Sequence, residues 1–428
     1  MMKGLAARNG GRVGIVALAA ILLLGLILRV DYAWDGRAPV YDAASYAEIA
    51  ANLERGDGFT LGDGATQPAS NYSPGLPLLV AGLYEVSGGE HERFARLVLA
   101  LIGTLAILFT YLIARRLSSP QAGLIGAAGV AIYPALLEYQ GMLMGEPLAA
   151  TLLSGAVLAA LWAGPGPRTQ WLLPGLLMGA LVLVRPEYLA ISVLLAVVVL
   201  ARSRSEWRRG AANAAVLLTG VVLVVAPWTV RNAIVLDRFV PVSTGGGQVL
   251  FAGSYLPSEG DPERVGLEVL ERHPELAGQL PADPRLEQIL AALAAQRYPG
   301  MEADAALARM GRERLRDDLT ERPLEYTDFV AAKIWRTWGH GPREVMQRPG
   351  WELLHWALVG FGLIGLAVLM RRRPWEALLL ATLLLAIAAV GALLVASPRR
   401  VLVAMPLIAA LAGVGATACY GWLRSRIA

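Results

Sequence analysis

Long apolar segments recur along this chain, and they constrain its fold more than any other feature. Several are long enough to cross about 30 Å of hydrocarbon as α-helices. Only 17% of the residues are charged and the mean hydropathy is +0.51, outside the range of ordinary water-soluble domains. We therefore predict an all-α polytopic membrane protein with about ten transmembrane helices, at 13–31, 94–114, 120–138, 143–163, 171–185, 187–201, 211–229, 351–370, 375–396 and 399–422. The fifth and sixth segments are short and can form one broken pair of crossings.

The positions of the basic residues predict the orientation. Lys3, Arg8 and Arg12 precede the first apolar segment, which places the amino terminus in the cytoplasm. Ten crossings then bring every strongly basic short loop to the same side, at 115–116, 168, 202–209, 371–373 and 424–426. We therefore expect an inner (plasma) membrane protein with both termini in the cytoplasm. The arginines of these cytoplasmic loops largely account for the net charge of +4. No patch of basic and aromatic residues suggests a nucleic-acid partner.

The first apolar segment is predicted to remain in the mature protein. It is too long for a secretory signal, and no cleavage site follows before Arg29. Arg29 itself is expected to pair with Asp31 or to reach the lipid headgroups. Cys419 is the only cysteine, which excludes an intramolecular disulfide. The four histidines stand singly without a zinc-type spacing, so we predict no zinc site among them and no cofactor, and a metal requirement stays open.

The pattern divides the chain into three parts. We predict an amino-terminal transmembrane module at 1–231 with a catalytic first external loop at 32–92, an external soluble insert at 232–350, and carboxy-terminal transmembrane helices at 351–428. In the first loop, Asp42 precedes good helix formers and suits an N-cap. The helix that follows has a polar face that includes Ser45 and Asn52, and it is expected to lie along the outer interface.

The insert carries two local features. The STGGGQ sequence at 243–248 lacks the lysine of a phosphate-binding P-loop, so its glycines are expected to form a mobile turn. The end of the insert combines tryptophans with Lys333, which suits an amphipathic helix that enters the interface.

Ionisable side chains are predicted at the outer ends of several helices. The carboxylates belong to Glu138 and Glu146, and the guanidinium groups belong to Arg185, Arg231, Arg399 and Arg400. A charge near the apolar core costs on the order of 2–3 kcal/mol by insertion scales, so several together call for a function. The guanidinium fork suits a pair of phosphate oxygens, which predicts an anion held at the outer leaflet.

In their order along the chain, several motifs resemble those of a known group of membrane enzymes. They are Asp42-x-x-x-Tyr46-Ala-Glu-Ile-Ala, Tyr72-Ser-Pro-Gly-Leu-Pro77, Glu146-Pro-Leu-Ala, Pro227-Trp-Thr-Val-Arg231-Asn, Ser243-Thr-Gly and Ser397-Pro-Arg-Arg400. The chain resembles the GT-C membrane glycosyltransferases of the protein O-mannosyltransferase and lipid A aminoarabinose transferase kind (glycosyltransferase family 39). Within them it is most similar to the bacterial Rgt-type sugar transferases of lipopolysaccharide. The likeness spans most of the chain and is weakest at 260–325.

The resemblance implies a polyprenyl-phosphate sugar donor, a hydroxyl of a cell-envelope acceptor (lipid, glycan or protein) and an inverting single displacement on the outer face. Asp42 matches the aspartate that these enzymes place in their first external loop, and Glu146 matches a second acidic position. Two departures concern the identity of the donor and acceptor. Ala43 stands where many relatives have an acidic residue, and Ser45 stands where the aminoarabinose transferases have arginine.

The same chemistry can be argued from the residues alone. Because a lipid phosphate is a good leaving group, the protein has to supply a carboxylate that takes the acceptor proton, worth roughly 10²–10⁴ in rate. It also has to supply fixed positive charge where the phosphate leaves. Asp42 suits the first role and the external arginines suit the second. Tyr46 and Tyr72 are candidate substrate contacts.

Each assignment has a structural alternative. In the structural alternative, Asp42 is an N-cap and has no catalytic role. Glu146 likewise caps the helix that Pro147 begins and has no other role. Tyr46 and Tyr72 suit interface anchors, and the arginines suit snorkelling to the headgroups. The rival function is a transporter or flippase of lipid-linked sugars, although the charged helix centres and repeated halves typical of transporters are not visible in the sequence. A third alternative is a scaffold that docks its partners through the insert.

Overall fold

The computed structural model describes residues 2–36, 39, 42–62, 64, 67–164, 168–202, 206–259, 261, 264–339, 341 and 344–427, without the side chains of 2–11 and 67. In these residues the chain forms eighteen α-helices and one two-stranded antiparallel hairpin. By their internal contacts the residues group into two compact units. Unit 1 comprises Met1–Val242, Arg343–Leu384 and Leu402–Ala428, and unit 2 comprises Ser243–Pro342 and Leu385–Val401.

The elements follow one another along the chain in this order. The first half contains α1 (Met2–Trp34), α2 (Asp42–Glu54), β1 (Thr60–Leu61), β2 (Gln67–Pro68), α3 (Gly75–Ser87), α4 (Glu92–Leu117), α5 (Pro120–Ala131), α6 (Pro134–Gln140), α7 (Glu146–Ala163), α8 (Leu172–Val184), α9 (Tyr188–Arg202) and α10 (Trp207–Leu236). The second half contains α11 (Gly246–Gly253), α12 (Arg264–Arg272), α13 (Leu286–Arg297), α14 (Ala303–Glu321), α15 (Pro323–Trp338), α16 (Pro349–Arg372), α17 (Pro374–Leu393) and α18 (Arg399–Ile427).

The long apolar helices confirm the predicted class, an all-α multi-pass membrane protein. Among the described residues, seven helices are long and apolar enough to cross a membrane: α1, α4, α7, α10, α16, α17 and α18. The pair α5 and α6, bent by 53° at its break, counts as an eighth span if taken together. The segments predicted at 171–185 and 187–201 form the shorter apolar helices α8 and α9. The predicted number of ten spans is therefore not confirmed.

Arg29 of α1 holds the break between α5 and α6. Pro134 cannot supply the N–H group that would continue the helix, so carbonyl groups at the end of α5 need other donors. Arg29 is only 2% exposed; its Nη2 donates to the carbonyl oxygen of Val130 at 3.1 Å, and its Nη1 donates to that of Ala131 at 3.3 Å. The expected pairing of Arg29 with Asp31 or the headgroups is wrong, because these carbonyls satisfy the guanidinium inside the bundle.

Glycines set the closest helix contacts in unit 1. A Cβ atom on Gly175 of α8 would overlap the carbonyl oxygen of Leu217 in α10. Such small-residue contacts let backbones approach where the lipid supplies no hydrophobic driving force between helices. The contact lies in the first turn of α8 and holds that part of the helix against α10.

The first loop folds around α2 and the hairpin. The amide nitrogen Nδ2 of Asn52 donates to the carbonyl oxygen of Thr60 at 2.9 Å, and Oε1 of Glu48 accepts from the backbone N–H of Gly62 at 2.8 Å. Ser45 and Asn52, which were predicted on an exposed polar face, are 8% and 3% exposed. That part of the prediction is wrong: both side chains are buried, and the loop that follows α2 engages Asn52 through Thr60.

Unit 2 has a core of its own. Its buried apolar residues include Phe251, Tyr255, Val269, Leu290 and Leu307. Helices α11 and α14 approach so closely that a Cβ on Gly247 would overlap the carbonyl oxygen of Asp304. Oδ1 of Asp304 accepts from the backbone N–H groups of Gly247 at 2.8 Å and Gln248 at 3.1 Å, which satisfies free donors in the first turn of α11. The glycines at 245–247 therefore begin a packed helix, and the predicted mobile turn is wrong.

Helix α15 forms where the amphipathic helix was predicted, with its lysine turned inward. Trp335 is 55% exposed, whereas Lys333 is fully buried. Nζ of Lys333 donates to the carbonyl oxygens of Gly253 and Ala392, both at 2.6 Å. Lys333 therefore connects the ends of α11 and α17 within unit 2.

Candidate active site

Five of the predicted site residues meet around Tyr46 in unit 1. Asp42 is the first residue of α2, and Tyr46 follows it by one helical turn, so both lie on the same side of the helix. The ring of Tyr72 meets that of Tyr46 edge to face, with centroids 5.8 Å apart. Burial raises the pKa of Tyr46; Asp42 and Glu146 add to the rise, and Arg185 opposes it. These interactions join Asp42, Tyr46, Tyr72, Glu146 and Arg185 into one group, called the Tyr46 cluster below.

Glu146 and Arg185 form a buried ion pair within the cluster. Glu146 begins α7 and is 0% exposed, and its Oε1 accepts from Nη2 of Arg185 at 2.5 Å. Nη1 of Arg185 also lies 3.9 Å from Oε1 of Glu187. Burial disfavours the charged guanidinium, but the carboxylates of Glu146 and Glu187 outweigh that effect and hold the pKa of Arg185 above its ordinary value. Arg185 is therefore charged and engaged by protein carboxylates.

The second oxygen of Glu146 is available as an acceptor. Oε2 is buried and has no hydrogen-bond partner among the described residues. Gly145 occupies the N-cap position of α7, and no side chain caps this helix. Since buried polar atoms in proteins are nearly always hydrogen-bonded, this unused carboxylate oxygen of the Tyr46 cluster is a candidate contact for a substrate hydroxyl.

Arg231 is held by aromatic rings rather than by a carboxylate. Its guanidinium lies 4.8 Å from the ring centroid of Trp228 and 5.6 Å from that of Phe59, and Nη1 donates to Oδ1 of Asn232 at 3.1 Å. Phe59 and Trp228 pack edge to face, and their group includes Tyr72. Because Asn232 is neutral and no ion pair joins Arg231 to a described carboxylate, its positive charge is uncompensated.

Glu138 lies in a different place from the Tyr46 cluster. With Asp31 and Asp35 it lines a cavity of about 250 Å³ between the ends of α1 and α6. Within the part of the chain that the structure describes, no group of three or more histidine, cysteine, aspartate or glutamate side chains is arranged to hold a metal ion.

Arg399 and Arg400 begin α18 and belong to unit 2. Nη1 of Arg400 donates to the carbonyl oxygen of Val395, and its backbone N–H donates to the carbonyl oxygen of Ser397 at 3.1 Å. Arg400 is thus engaged by the turn that precedes α18. The substrate roles predicted for both arginines stay predictions.

Sequence reasoning missed two contributors to this region. Glu187 stands two residues after Arg185 in Arg185-Pro-Glu187, and this proximity was a signal that the guanidinium has a local carboxylate. Phe59 gave no such signal, because it lies far from Arg231 in the chain and meets it only after the first loop folds onto α10.

Comparisons with known proteins agree with this architecture. The family model of dolichyl-phosphate-mannose-protein mannosyltransferases matches residues 70–230, less than half of the chain. No curated protein sequence matches the chain.

Among solved structures, this chain is similar to the archaeal oligosaccharyltransferase AglB from Archaeoglobus fulgidus in complex with an inhibitory peptide and a dolichol-phosphate. The alignment has a TM-score of 0.61 at 17% identity and covers 97% of this chain and 51% of that protein. Its apo form aligns with a TM-score of 0.58 at 16% identity, covering 97% and 52%. This chain thus spans about half the length of these relatives.

ArnT from Cupriavidus metallidurans bound to undecaprenyl phosphate also aligns, at 17% identity over 94% of this chain and 76% of that protein, but its TM-score of 0.41 does not by itself establish a common fold. The alignment with AglB establishes a common fold, because its TM-score is 0.61 and it covers 97% of this chain. The predicted resemblance is confirmed: this chain has the GT-C fold and, over residues 70–230, matches the family model of the dolichyl-phosphate-mannose-protein mannosyltransferases.

Proposed function

We propose that this protein is a membrane glycosyltransferase that moves a sugar from a polyprenyl-phosphate donor to a hydroxyl of a cell-envelope acceptor (lipid, glycan or protein). The observation that carries the proposal is the Tyr46 cluster, in which Asp42 at the start of α2 and the buried Glu146–Arg185 pair both act on Tyr46. A fold that is shared with membrane glycosyltransferases supports the same conclusion. We place the reaction on the outer face of the inner (plasma) membrane, with both termini in the cytoplasm.

The proposed reaction is an inverting single displacement. Asp42 takes the proton of the acceptor hydroxyl as that oxygen forms its bond to the anomeric carbon, while the bond from this carbon to the lipid-phosphate oxygen breaks and its electron pair leaves with the phosphate. General-base help of this kind is worth roughly 10²–10⁴ in rate. The free Oε2 of Glu146 accepts a hydrogen bond from a substrate hydroxyl, and Tyr46 and Tyr72 contact the substrate beside it.

Their surroundings give the two predicted site arginines of unit 1, Arg185 and Arg231, different roles. Because Glu146 and Glu187 compensate the charge of Arg185, that guanidinium positions Glu146 rather than receiving the phosphate. Arg231 keeps an uncompensated charge and rests on Phe59 of the first loop, so it is the arginine of unit 1 best suited to the leaving phosphate. Arg399 and Arg400 remain proposed substrate contacts, on the resemblance and on their predicted position at the outer end of a helix.

The test is a transfer assay with purified protein. The protein is incubated with a panel of polyprenyl-phosphate sugars and a cell-envelope extract that supplies the acceptor, and the loss of each donor is followed. We expect one donor to be consumed, and Asp42→Asn to lower its consumption by at least about a hundredfold because the base is lost. Asp57→Asn, which removes an exposed carboxylate of the same loop, is the matched control and is expected to keep wild-type rates.

Two results would overturn the proposal. Wild-type turnover by Asp42→Asn, with the protein correctly folded, would remove the proposed base. Movement of lipid-linked sugars across vesicles without covalent change would instead identify a transporter or flippase.

A further inference from the structure

Unit 2 contains a cavity of about 680 Å³ that the proposed transfer reaction does not use. It lies among α12, α14 and α15, and its size falls within the ~300–1,000 Å³ typical of small-molecule sites. One part of its wall is apolar, formed by Leu256, Pro257, Phe329 and Ala332. The rest is charged, so the pairing of those charges indicates which ligand suits it.

Most of the charged groups in the wall neutralise one another. Three of the four described arginines form ion pairs with carboxylates of the same wall: Arg264, Arg272 and Arg322. Their partners are Glu259, Glu268, Asp318 and Glu325. The shortest of these pairs, Arg264 Nη1 to Glu259 Oε2, is 2.6 Å. These seven residues therefore offer little free charge to a ligand.

Arg314 is the exception among the arginines. Its guanidinium carbon lies 4.6 Å from the ring centroid of Tyr255 and 5.3 Å from that of Phe251, and it forms no ion pair or hydrogen bond with any described residue. The close approach of α14 to α11 at Gly311, where a Cβ would lie 3.0 Å from Leu250, fixes this stacked position. A stacked guanidinium keeps its N–H donors at its edge, so Arg314 is a pre-oriented donor for an oxyanion.

Asp328 is the exception among the carboxylates. It projects from α15, lines the same cavity, and has no partner in the described part of the chain. No ion pair joins Arg314 to Asp328, and in the described wall they are the arginine and the carboxylate that form no ion pair; Asp318 acts on Arg314 only at longer range. Five carboxylates against four arginines also disfavour a ligand with several negative charges.

We propose that this cavity binds a small zwitterion, with its oxyanion on Arg314, its ammonium group on Asp328 and its apolar body against Phe329. An amino acid with an apolar side chain has this chemistry through its carboxylate. A phospholipid headgroup that carries an amine has it through its phosphodiester. Both satisfy the two free charges without disturbing the paired ones.

The test compares four probes on the full-length protein in detergent, by calorimetry or saturation-transfer NMR. L-Leucine carries both charges, leucinamide carries only the ammonium, 4-methylpentanoate carries only the carboxylate, and glycerophosphoethanolamine carries a phosphodiester with an ammonium. We expect at least one of the two zwitterions to bind about tenfold or more tightly than both singly charged probes. Binding of leucine identifies an amino-acid ligand, and binding of glycerophosphoethanolamine alone identifies a headgroup. Equal binding of all four, or binding of none, overturns the proposal.

Matched variants assign the contacts. Arg314→Gln should reduce zwitterion affinity about tenfold or more, and Asp328→Asn should do the same by loss of the ammonium contact. Arg312→Gln and Glu321→Gln remove exposed charges of α14 outside the cavity and should leave affinity unchanged. Arg314 also stacks on rings of the unit 2 core, so Arg314→Gln can fail to fold. In that case Asp328→Asn provides the test, because it changes an exposed side chain. Unchanged affinity in Asp328→Asn would contradict the proposal.

This site does not depend on the proposed transfer reaction. Zwitterion binding is expected to be the same in Asp42→Asn, which lacks the proposed base. The two proposals can therefore fail separately.

Discussion

At the scale of single residues, the features most relevant to function are ionisable groups buried with few partners. Glu146 has one oxygen on Arg185 and one without a donor among the described residues. Lys333 is enclosed between two carbonyl oxygens. Desolvating a charge is costly unless a partner compensates it, so these residues should dominate the response of the protein to substitution and to pH.

The Glu146–Arg185 pair should show strong coupling. Arg185→Met leaves the Glu146 carboxylate buried without its main partner, which we expect to cost about 3–5 kcal/mol. Glu146→Gln should cost less, because Arg185 keeps Glu187 nearby. The double variant should be more stable than Arg185→Met alone, since no buried charge is left unpaired. Thermal unfolding of the four proteins in detergent measures this cycle, and simple additivity of the two single effects would argue against the pairing.

Lys333 should make stability depend on pH. Burial lowers its pKa to about 7, with the charge of Arg400 acting in the same direction. Between this value and the ordinary value of 10.5, the unfolded state binds more protons than the folded state, so stability should rise as pH increases from about 7 to about 10.5. The slope is limited to about 1.4 kcal/mol per pH unit. The melting temperature of the wild type should rise with pH across this range, and that of Lys333→Met should rise less. Identical slopes for the two proteins would exclude this lysine as the cause.

At the scale of elements, close helix contacts decide where side chains point. The first loop is held to α10 by the packing of Phe59 on Trp228, whose Nε1 donates to the carbonyl oxygen of Val242 at 2.7 Å. In unit 2, the contact of α11 with α14 holds the rings on which Arg314 stacks. Both contacts bring together segments that are distant in the chain.

The contact between α11 and α14 can be tested with two neighbouring glycines. Gly247→Ala would place a Cβ against the backbone of Asp304, and we expect a loss of about 1–3 kcal/mol or more, because backbone cannot move aside as a flexible side chain can. Gly246→Ala meets no atom within 4 Å and should be neutral or slightly stabilising, since alanine favours the helix. Equal melting temperatures for the two variants would contradict the close approach.

At the scale of the whole molecule, the number of spans determines whether the termini share a side. Seven spans would separate the termini, whereas eight spans, with α5 and α6 taken as one, would place them together. Ten spans, with α8 and α9 added, give the same result. The arrangement of basic loops in the sequence favours an even number, with the first loop outside.

Cysteine labelling tests this topology directly. In a Cys419→Ser background, Ala44→Cys and Ser425→Cys each introduce one exposed thiol, in α2 and near the end of α18. A membrane-impermeant maleimide should label the first in intact cells and the second only after the membrane is opened. Labelling of position 44 only in opened cells would reverse the orientation and remove Asp42 from the outer face.

The sequence alone determined the membrane class, the helical fold and the loop that contains the candidate site. These follow from local signals: apolar length sets a span, and a polar segment with a helix start between two spans predicts α2. Asp42, Tyr46 and Tyr72 were found because motif order marks them. The ten-span count was not confirmed, because length and hydropathy do not settle whether short helices such as α8 and α9 cross the membrane.

Only the tertiary structure decided which charged groups meet. Arg185 and Glu146 pair across two helices, Arg29 turns to the broken end of α5 instead of its sequence neighbour Asp31, and Lys333 enters a core instead of facing lipid. Hydropathy and periodicity indicate which face of each helix is apolar and which is polar. They carry no information about which helices become neighbours. That choice depends on packing between distant segments, and here it separates the compensated charge of Arg185 from the free charge of Arg231.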